Sequence, residues 1–145
     1  GKKIANELEN FLSDANKRAA IERKVIPDEA QQLSDLLKEA KNENVDIIFT
    51  TGGTGIGSRD IAPQIIIPFI DKELPGIMEM IRVKYGRDNP NALLSRSVAG
   101  VSGKTLIYAL PGSSKAVDEY LEVILPTLTH SILMMHDIDH HHGHG

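Results

Sequence analysis

The run Val45-Asp46-Ile47-Ile48-Phe49-Thr50-Thr51-Gly52-Gly53-Thr54-Gly55-Ile56-Gly57-Ser58-Arg59-Asp60 decides how the chain is read. Its first part is short, apolar and rich in β-branched residues, which suits a buried strand. Its second part holds four glycines between Gly52 and Gly57. Pro63 follows at a position that fits the first turn of a helix. Strand, glycine-rich turn and helix together are how α/β folds build anion sites at the carboxyl ends of strands. Closely spaced glycines let backbone N–H groups converge on a phosphate. Thr54 and Ser58 add hydroxyls, and Arg59 adds a cation able to grip phosphate through two bonds. The alternative is a flexible turn whose glycines only satisfy backbone geometry, and four glycines directly after a buried-type strand weigh against it.

Upstream, Ile4, Leu8, Phe11 and Leu12 recur at helical spacing. Ala19 to Ile26 reads as a strand ended by Pro27. Asp28 stands three residues before Gln31, a capping-box spacing, ahead of a helix expected to run to about Asn42. Downstream, Pro68 should kink or shorten the helix that begins near Pro63. Pro75-Gly76 opens another helix, with Gly86 as its stop. Ser95 to Val101 and Thr105 to Leu110 are strand-like around a Ser102-Gly103 turn, a hairpin pattern. Pro111-Gly112-Ser113 then leads into a helix that Pro126 should break, with a last helix after it. This order predicts a three-layer α/β/α fold with a mostly parallel sheet and one hairpin.

Two familiar nucleotide motifs fail. A Gly-x-Gly-x-x-Gly fingerprint read from Gly53 finds Ser58 in the last glycine's place. Gly103-Lys104-Thr105 resembles the end of a Walker A loop, but the first glycine of that motif would fall at Val98. The second strand-to-helix loop, Pro111-Gly112-Ser113-Ser114-Lys115, offers N–H groups, hydroxyls and a lysine. Equally, it is a tight connection with Ser113 as helix N-cap. If the strands before the two loops are parallel neighbours, both loops share one sheet edge. Asp28 and Asp60 should lie on that edge too, where Mg²⁺ takes one or two carboxylates together with substrate phosphates. Each also has a plain structural role open to it, Asp28 as a helix cap and Asp60 as a partner for Arg59.

Composition narrows the function. The chain has 145 residues, 16 Lys and Arg against 20 Asp and Glu, and no cysteine. A disulfide framework, a Cys-ligated zinc, an iron–sulfur cluster and a thiol nucleophile are therefore excluded. A net charge of −4 argues against a nucleic-acid partner, which calls for a basic stripe. The longest apolar run, around Ile65-Ile66-Ile67, is too short to span a bilayer. A soluble, cytoplasmic α/β domain over residues 1–136 is the expectation. Residues 137–145 form a His-rich tail, expected to be disordered; its imidazoles could bind zinc or nickel, and it is given no catalytic role.

With these residues in hand, the chain resembles the MoaB/Mog family of molybdenum cofactor biosynthesis proteins, whose fold recurs in the gephyrin G domain. The matching pieces are Ile26-Pro27-Asp28-Glu29, Thr50 to Gly55, Ser58 to Pro63, Glu73-Leu74-Pro75-Gly76, Leu94-Ser95-Arg96 and Leu110-Pro111-Gly112-Ser113. Their order and spacing span most of the chain. The resemblance implies binding of molybdopterin and transfer of AMP to it from Mg-ATP. It also implies a homotrimer or higher oligomer and a partner protein that inserts molybdate. It assigns Gly52, Gly53, Thr54, Gly55 and Ser58 to the molybdopterin end, with Ser95, Arg96, Pro111, Gly112 and Ser113 lining the site. Asp28 and Asp60 match the acidic positions that the family needs for activity, with Mg²⁺ held through one of them. A non-catalytic molybdopterin-binding protein and an oligomerising interaction module of the same fold are the rival readings.

The family begins with a strand and a loop that this chain lacks before Gly1-Lys2. A parallel sheet without an inner strand would leave buried backbone groups unpaired. The expectation is that a further N-terminal stretch precedes Gly1 in the natural protein.

Overall fold

The computed structural model describes residues 2–14 and 30–137. The elements are α1 (Lys2–Asp14), α2 (Ala30–Asn42), β1 (Ile47–Thr51), α3 (Ala62–Ile66), β2 (Lys72–Glu73), α4 (Pro75–Gly86), β3 (Val98–Ser102), β4 (Thr105–Leu110) and α5 (Ser114–Met135). Short 3₁₀ turns cover Ile67–Phe69 and Pro90–Leu94. The strand expected over residues 19–26, the Asp28 cap and the tail from residue 138 onward lie outside the described residues.

β4 explains the layering. All six of its residues are buried, so both of its faces are covered. Leu106, Tyr108 and Leu110 alternate onto one face, where they pack with α1, α4 and α5. Ile107 and Ala109 point the other way, against Leu37 of α2 and Ala62 and Ile66 of α3. A strand with period-two side chains thus seeds two cores, and the three-layer α/β/α arrangement follows. Phe49 of β1 stacks on Tyr108, with ring centroids 5.2 Å apart.

Among the described strands the sheet order is β1-β4-β3-β2. β1 pairs with β4 in parallel; β3 pairs antiparallel with both β4 and β2. The described sheet is therefore mixed, and its parallel character rests on the β1–β4 pair. The Ser102-Gly103 hairpin is present, with Ser102 opposite Thr105. β3 begins only at Val98, and just before it the Ser95 and Ser97 carbonyls accept from the Arg82 guanidinium. Pro68 shortens α3 as anticipated and sits in the 3₁₀ turn that follows it.

Pro126 is a correction. It lies inside the single 22-residue helix α5 and does not break it. A proline in a helix interior removes one hydrogen bond and costs about 3 kcal/mol. Val117, Tyr120, Leu121, Ile124 and Leu128 are all buried on one stripe across that point, so tertiary packing outweighs the local cost. No helix among the described residues is long and apolar enough to cross a membrane.

Candidate functional site

The parallel pairing of β1 with β4 sets Thr51 opposite Leu110, so the loops that leave the two strands emerge side by side. The Gly52 N–H donates to the Leu110 carbonyl at 2.8 Å. Gly112 approaches so closely that a Cβ there would lie 3.4 Å from Gly52 Cα. Gly52 and Gly53 turn the chain with φ of +91° and +72°, the left-handed region that glycine enters at no steric cost. The Gly53 carbonyl accepts from Ala62 N–H, which closes the loop onto α3.

Between those anchors the loop is shaped by two side chains. Asp60 Oδ2 accepts the Gly57 N–H at 2.8 Å. Among the described residues Asp60 forms no ion pair with Arg59, so the purely structural alternative for Asp60 is not the arrangement observed. The backbone N–H of Arg96 donates to the Thr54 carbonyl at 2.7 Å. Its guanidinium donates to the Gly55 carbonyl at 2.8 Å and to the Asp60 carbonyl. Thr54 is buried by this embrace, and Ser58 and Arg59 stand exposed at the loop tip. The N–H groups of Thr54, Gly55, Ile56, Ser58 and Arg59 donate to no described protein oxygen, an arrangement that suits an external anion.

Gly55 leaves room for the Asp60 carboxylate. A Cβ at that position would lie 2.8 Å from Asp60 Oδ2. Gly55→Ala is therefore expected to swing the carboxylate off the Gly57 amide. The stability loss should be about 1 kcal/mol, the usual size of one hydrogen bond. Faster hydrogen exchange at the Gly57 N–H is the measurement that checks it.

The second loop presents the N-terminus of α5. Ser113 Oγ accepts from Ala116 N–H at 3.2 Å, so Ser113 is the N-cap. The positive end of a long helix dipole then faces the same edge, which favours an anion there. Lys3 of α1 reaches this corner, donating to Ser114 Oγ at 3.0 Å and pairing with Asp118 at 2.8 Å.

Beside the loops lies a cleft of about 210 Å³ between α4, the Pro90–Leu94 turn and α5. Of the expected residues, Ser95, Pro111 and Ser113 line it. The glycine-rich loop does not line the cleft and forms the shelf next to it, joined through Arg96 and the Gly52–Gly112 contact. The Ser95 hydroxyl is fixed by Tyr120, whose O–H donates to it at 3.0 Å, and it lies 2.9 Å from Ser97 Oγ. Burial and the neighbouring Glu122 push the Tyr85 hydroxyl upward in pKa, and that hydroxyl donates to Glu122 at 2.9 Å. The Tyr85 ring is thereby held as one wall of the cleft. Tyr85, Asn89, Asn91, Glu119 and Tyr120 also line the cleft, together with Lys115 of the second loop, and none of the five carries a motif that marks it as a site residue. The Lys115–Glu119 spacing of four, one turn along a helix that starts at the site, is the signal that could have found Glu119.

The structure thus brings together Gly52, Gly53, Thr54, Gly55, Ser58, Arg59, Asp60, Ser95, Arg96, Pro111, Gly112 and Ser113 at one sheet edge. Asp28 lies outside the described residues.

Comparison with known proteins returns one consistent answer. Residues 2–130 match a family described as "Probable molybdopterin binding domain". Molybdenum cofactor biosynthesis protein B of Staphylococcus carnosus is 39% identical over 136 residues, covering 91% of this chain and 78% of that protein. Gephyrin of Dictyostelium discoideum is 37% identical over 131 residues, covering 89% of this chain, which spans only 18% of gephyrin's length. The solved structure of the molybdopterin biosynthesis Mog protein from Mycobacterium ulcerans superposes with a TM-score of 0.80 at 32% identity, covering 90% of this chain and 84% of that one.

Proposed function

This chain belongs to the MoaB/Mog family of molybdopterin-binding domains, and from that premise we propose that it is a cytoplasmic adenylyltransferase acting on molybdopterin. Molybdopterin and ATP are its substrates. The observation that carries the reading is the run of unpartnered loop N–H groups between the Asp60 carboxylate and the capped N-terminus of α5.

The chemistry asks for little covalent help. An oxygen of the molybdopterin phosphate attacks the α-phosphorus of ATP. A new P–O bond forms, the bond to the β-phosphate oxygen breaks, and pyrophosphate leaves. The nucleophile is already ionised near neutral pH, so a chain with no cysteine is no obstacle. What remains is to align two anions and to balance charge where they meet. The loop amides and the α5 terminus would hold phosphoryl oxygens, and Ser95 would fix the neighbouring group from the cleft.

A magnesium ion fits this donor set. Among the described residues no group of three or more His, Cys, Asp or Glu side chains could cage a metal. Magnesium needs no such cage when substrate phosphates supply ligands. Asp60 would hold it through the carboxylate oxygen not engaged by Gly57, with Asp28 as the second acidic position from the resemblance. When bound, the ion would neutralise charge on the ATP phosphates. A homotrimer or higher oligomer is the expected assembly, and exposed Met80, Val83, Leu93 and Leu94 offer apolar surface for it.

The test is incubation of the chain with molybdopterin and Mg-ATP, followed by separation of the products. Adenylated molybdopterin and pyrophosphate in equal amounts support the reading. Bound molybdopterin with no adenylated product would leave a binding protein in its place.

A further inference from the structure

Arg96 stands where the sequence suggested a residue lining the ligand, yet all of its hydrogen bonds run into the protein. It donates from its backbone N–H to the Thr54 carbonyl, from Nε to the Gly55 carbonyl and from Nη2 to the Asp60 carbonyl. In a trans peptide the C=O and the N–H of one unit point in opposite directions, and no cis peptide is present among the described residues. The Thr54 carbonyl shares its unit with the Gly55 N–H, and the Gly55 carbonyl shares its unit with the Ile56 N–H. Drawing both carbonyls toward Arg96 therefore aims the Gly55 and Ile56 N–H groups at the opposite side. Neither has a described acceptor. The next amide, Gly57, is already committed to Asp60. The guanidinium charge behind the carbonyls also polarises the two peptide units and strengthens their N–H groups as donors.

We propose that Arg96 is a positioning residue that builds a phosphate site from two consecutive amides, Gly55 and Ile56, without itself touching the anion. The inference rests on reading this edge as phosphate-binding, and it names the atoms that take the phosphoryl oxygens. Asp60 completes the device from the other side, since it fixes the turn that follows. Lysine at position 96 could reach one carbonyl but could not replace the planar two-bond fork.

The experiment is a backbone-amide NMR titration of the whole chain with inorganic pyrophosphate, on the wild type, Arg96→Lys and Arg96→Ala. In the wild type the largest shifts should fall on Gly55 and Ile56, with the Arg96 Nε–H signal nearly unmoved. Arg96→Ala should weaken pyrophosphate binding roughly ten-fold, the scale of a charge-assisted hydrogen bond. It should also abolish those two shifts while the β3 and β4 amides keep their dispersion. Arg96→Lys should fall between. A residue that only stabilised the fold would lower the melting temperature and leave the shift pattern in place. Should Arg96→Ala not fold, the wild-type Nε–H signal and Arg96→Lys decide. The proposal is overturned by shifts centred on Arg96 Nε–H, by wild-type affinity in Arg96→Lys and Arg96→Ala, or by no pyrophosphate binding to the wild type. A molybdopterin titration separates the two readings. Molybdopterin that fails to bind while pyrophosphate shifts Gly55 and Ile56 removes the molybdopterin reading alone. Molybdopterin that binds without moving those amides removes this assignment alone.

Discussion

Asp60→Asn is expected to slow AMP transfer by about 100- to 1,000-fold, the usual loss when one preorganised electrostatic group is removed from a reacting centre. Molybdopterin binding should change by no more than about three-fold, since the change removes charge and spares shape. The asparagine side-chain oxygen can still accept the Gly57 N–H, so the loop keeps the bond that Asp60 makes now. Only the negative charge and the free carboxylate oxygen disappear. Asp60→Ala should lose turnover to the same extent and additionally loosen the turn at Gly57. Single-turnover rates and molybdopterin titrations on the two variants check this. Equal loss of binding and turnover in Asp60→Asn would mean that Asp60 is a ligand-holding group with no separate part in the transfer.

Leu128→Ala should be the most damaging change away from the site. Leu128 has no exposed surface and lies two residues after Pro126 in α5. Truncating a fully buried leucine costs about 2–5 kcal/mol. The upper half of that range is expected here, because Leu128 is fully buried in the stripe that offsets the local cost of Pro126. For a chain of this size the melting temperature should fall by on the order of 10 °C. Amide exchange in the last turns of α5 should quicken more than exchange in its first turns. A loss below about 1 kcal/mol would show that something other than this buried stripe carries the helix through the proline.

That proline marks where the sequence could be read and where it could not. Local chemistry was legible: a β-branched run before glycines gave β1 and its loop, Ser113 gave a cap, and Ser102-Gly103 gave the hairpin turn. Pro126 was misread because its cost is local while the burial of Tyr120, Leu121, Ile124 and Leu128 is tertiary. The two-residue strand Lys72–Glu73 carries no pattern long enough to register and exists through its pairing with Gly100 and Val101.

The site divides in the same way. Glycines and hydroxyls announce an anion loop by their type, so Gly52 to Ser58 could be picked out in advance. Which direction a side chain faces is set by contacts more than thirty residues away. The resemblance puts Arg96 in the lining of the site, and its place behind the loop follows only from the Gly55 and Asp60 carbonyls that it meets. The cleft walls Tyr85 and Asn89, at the end of α4 and in the turn after it, face Tyr120 of α5, and no spacing in the sequence links the two sides.

The most direct measurement is a calorimetric titration of molybdopterin into the chain, repeated with inorganic pyrophosphate present. The loop-edge account predicts saturable binding that weakens as pyrophosphate rises, because both anions would occupy the same amides. Absence of binding, or binding indifferent to pyrophosphate, would contradict it.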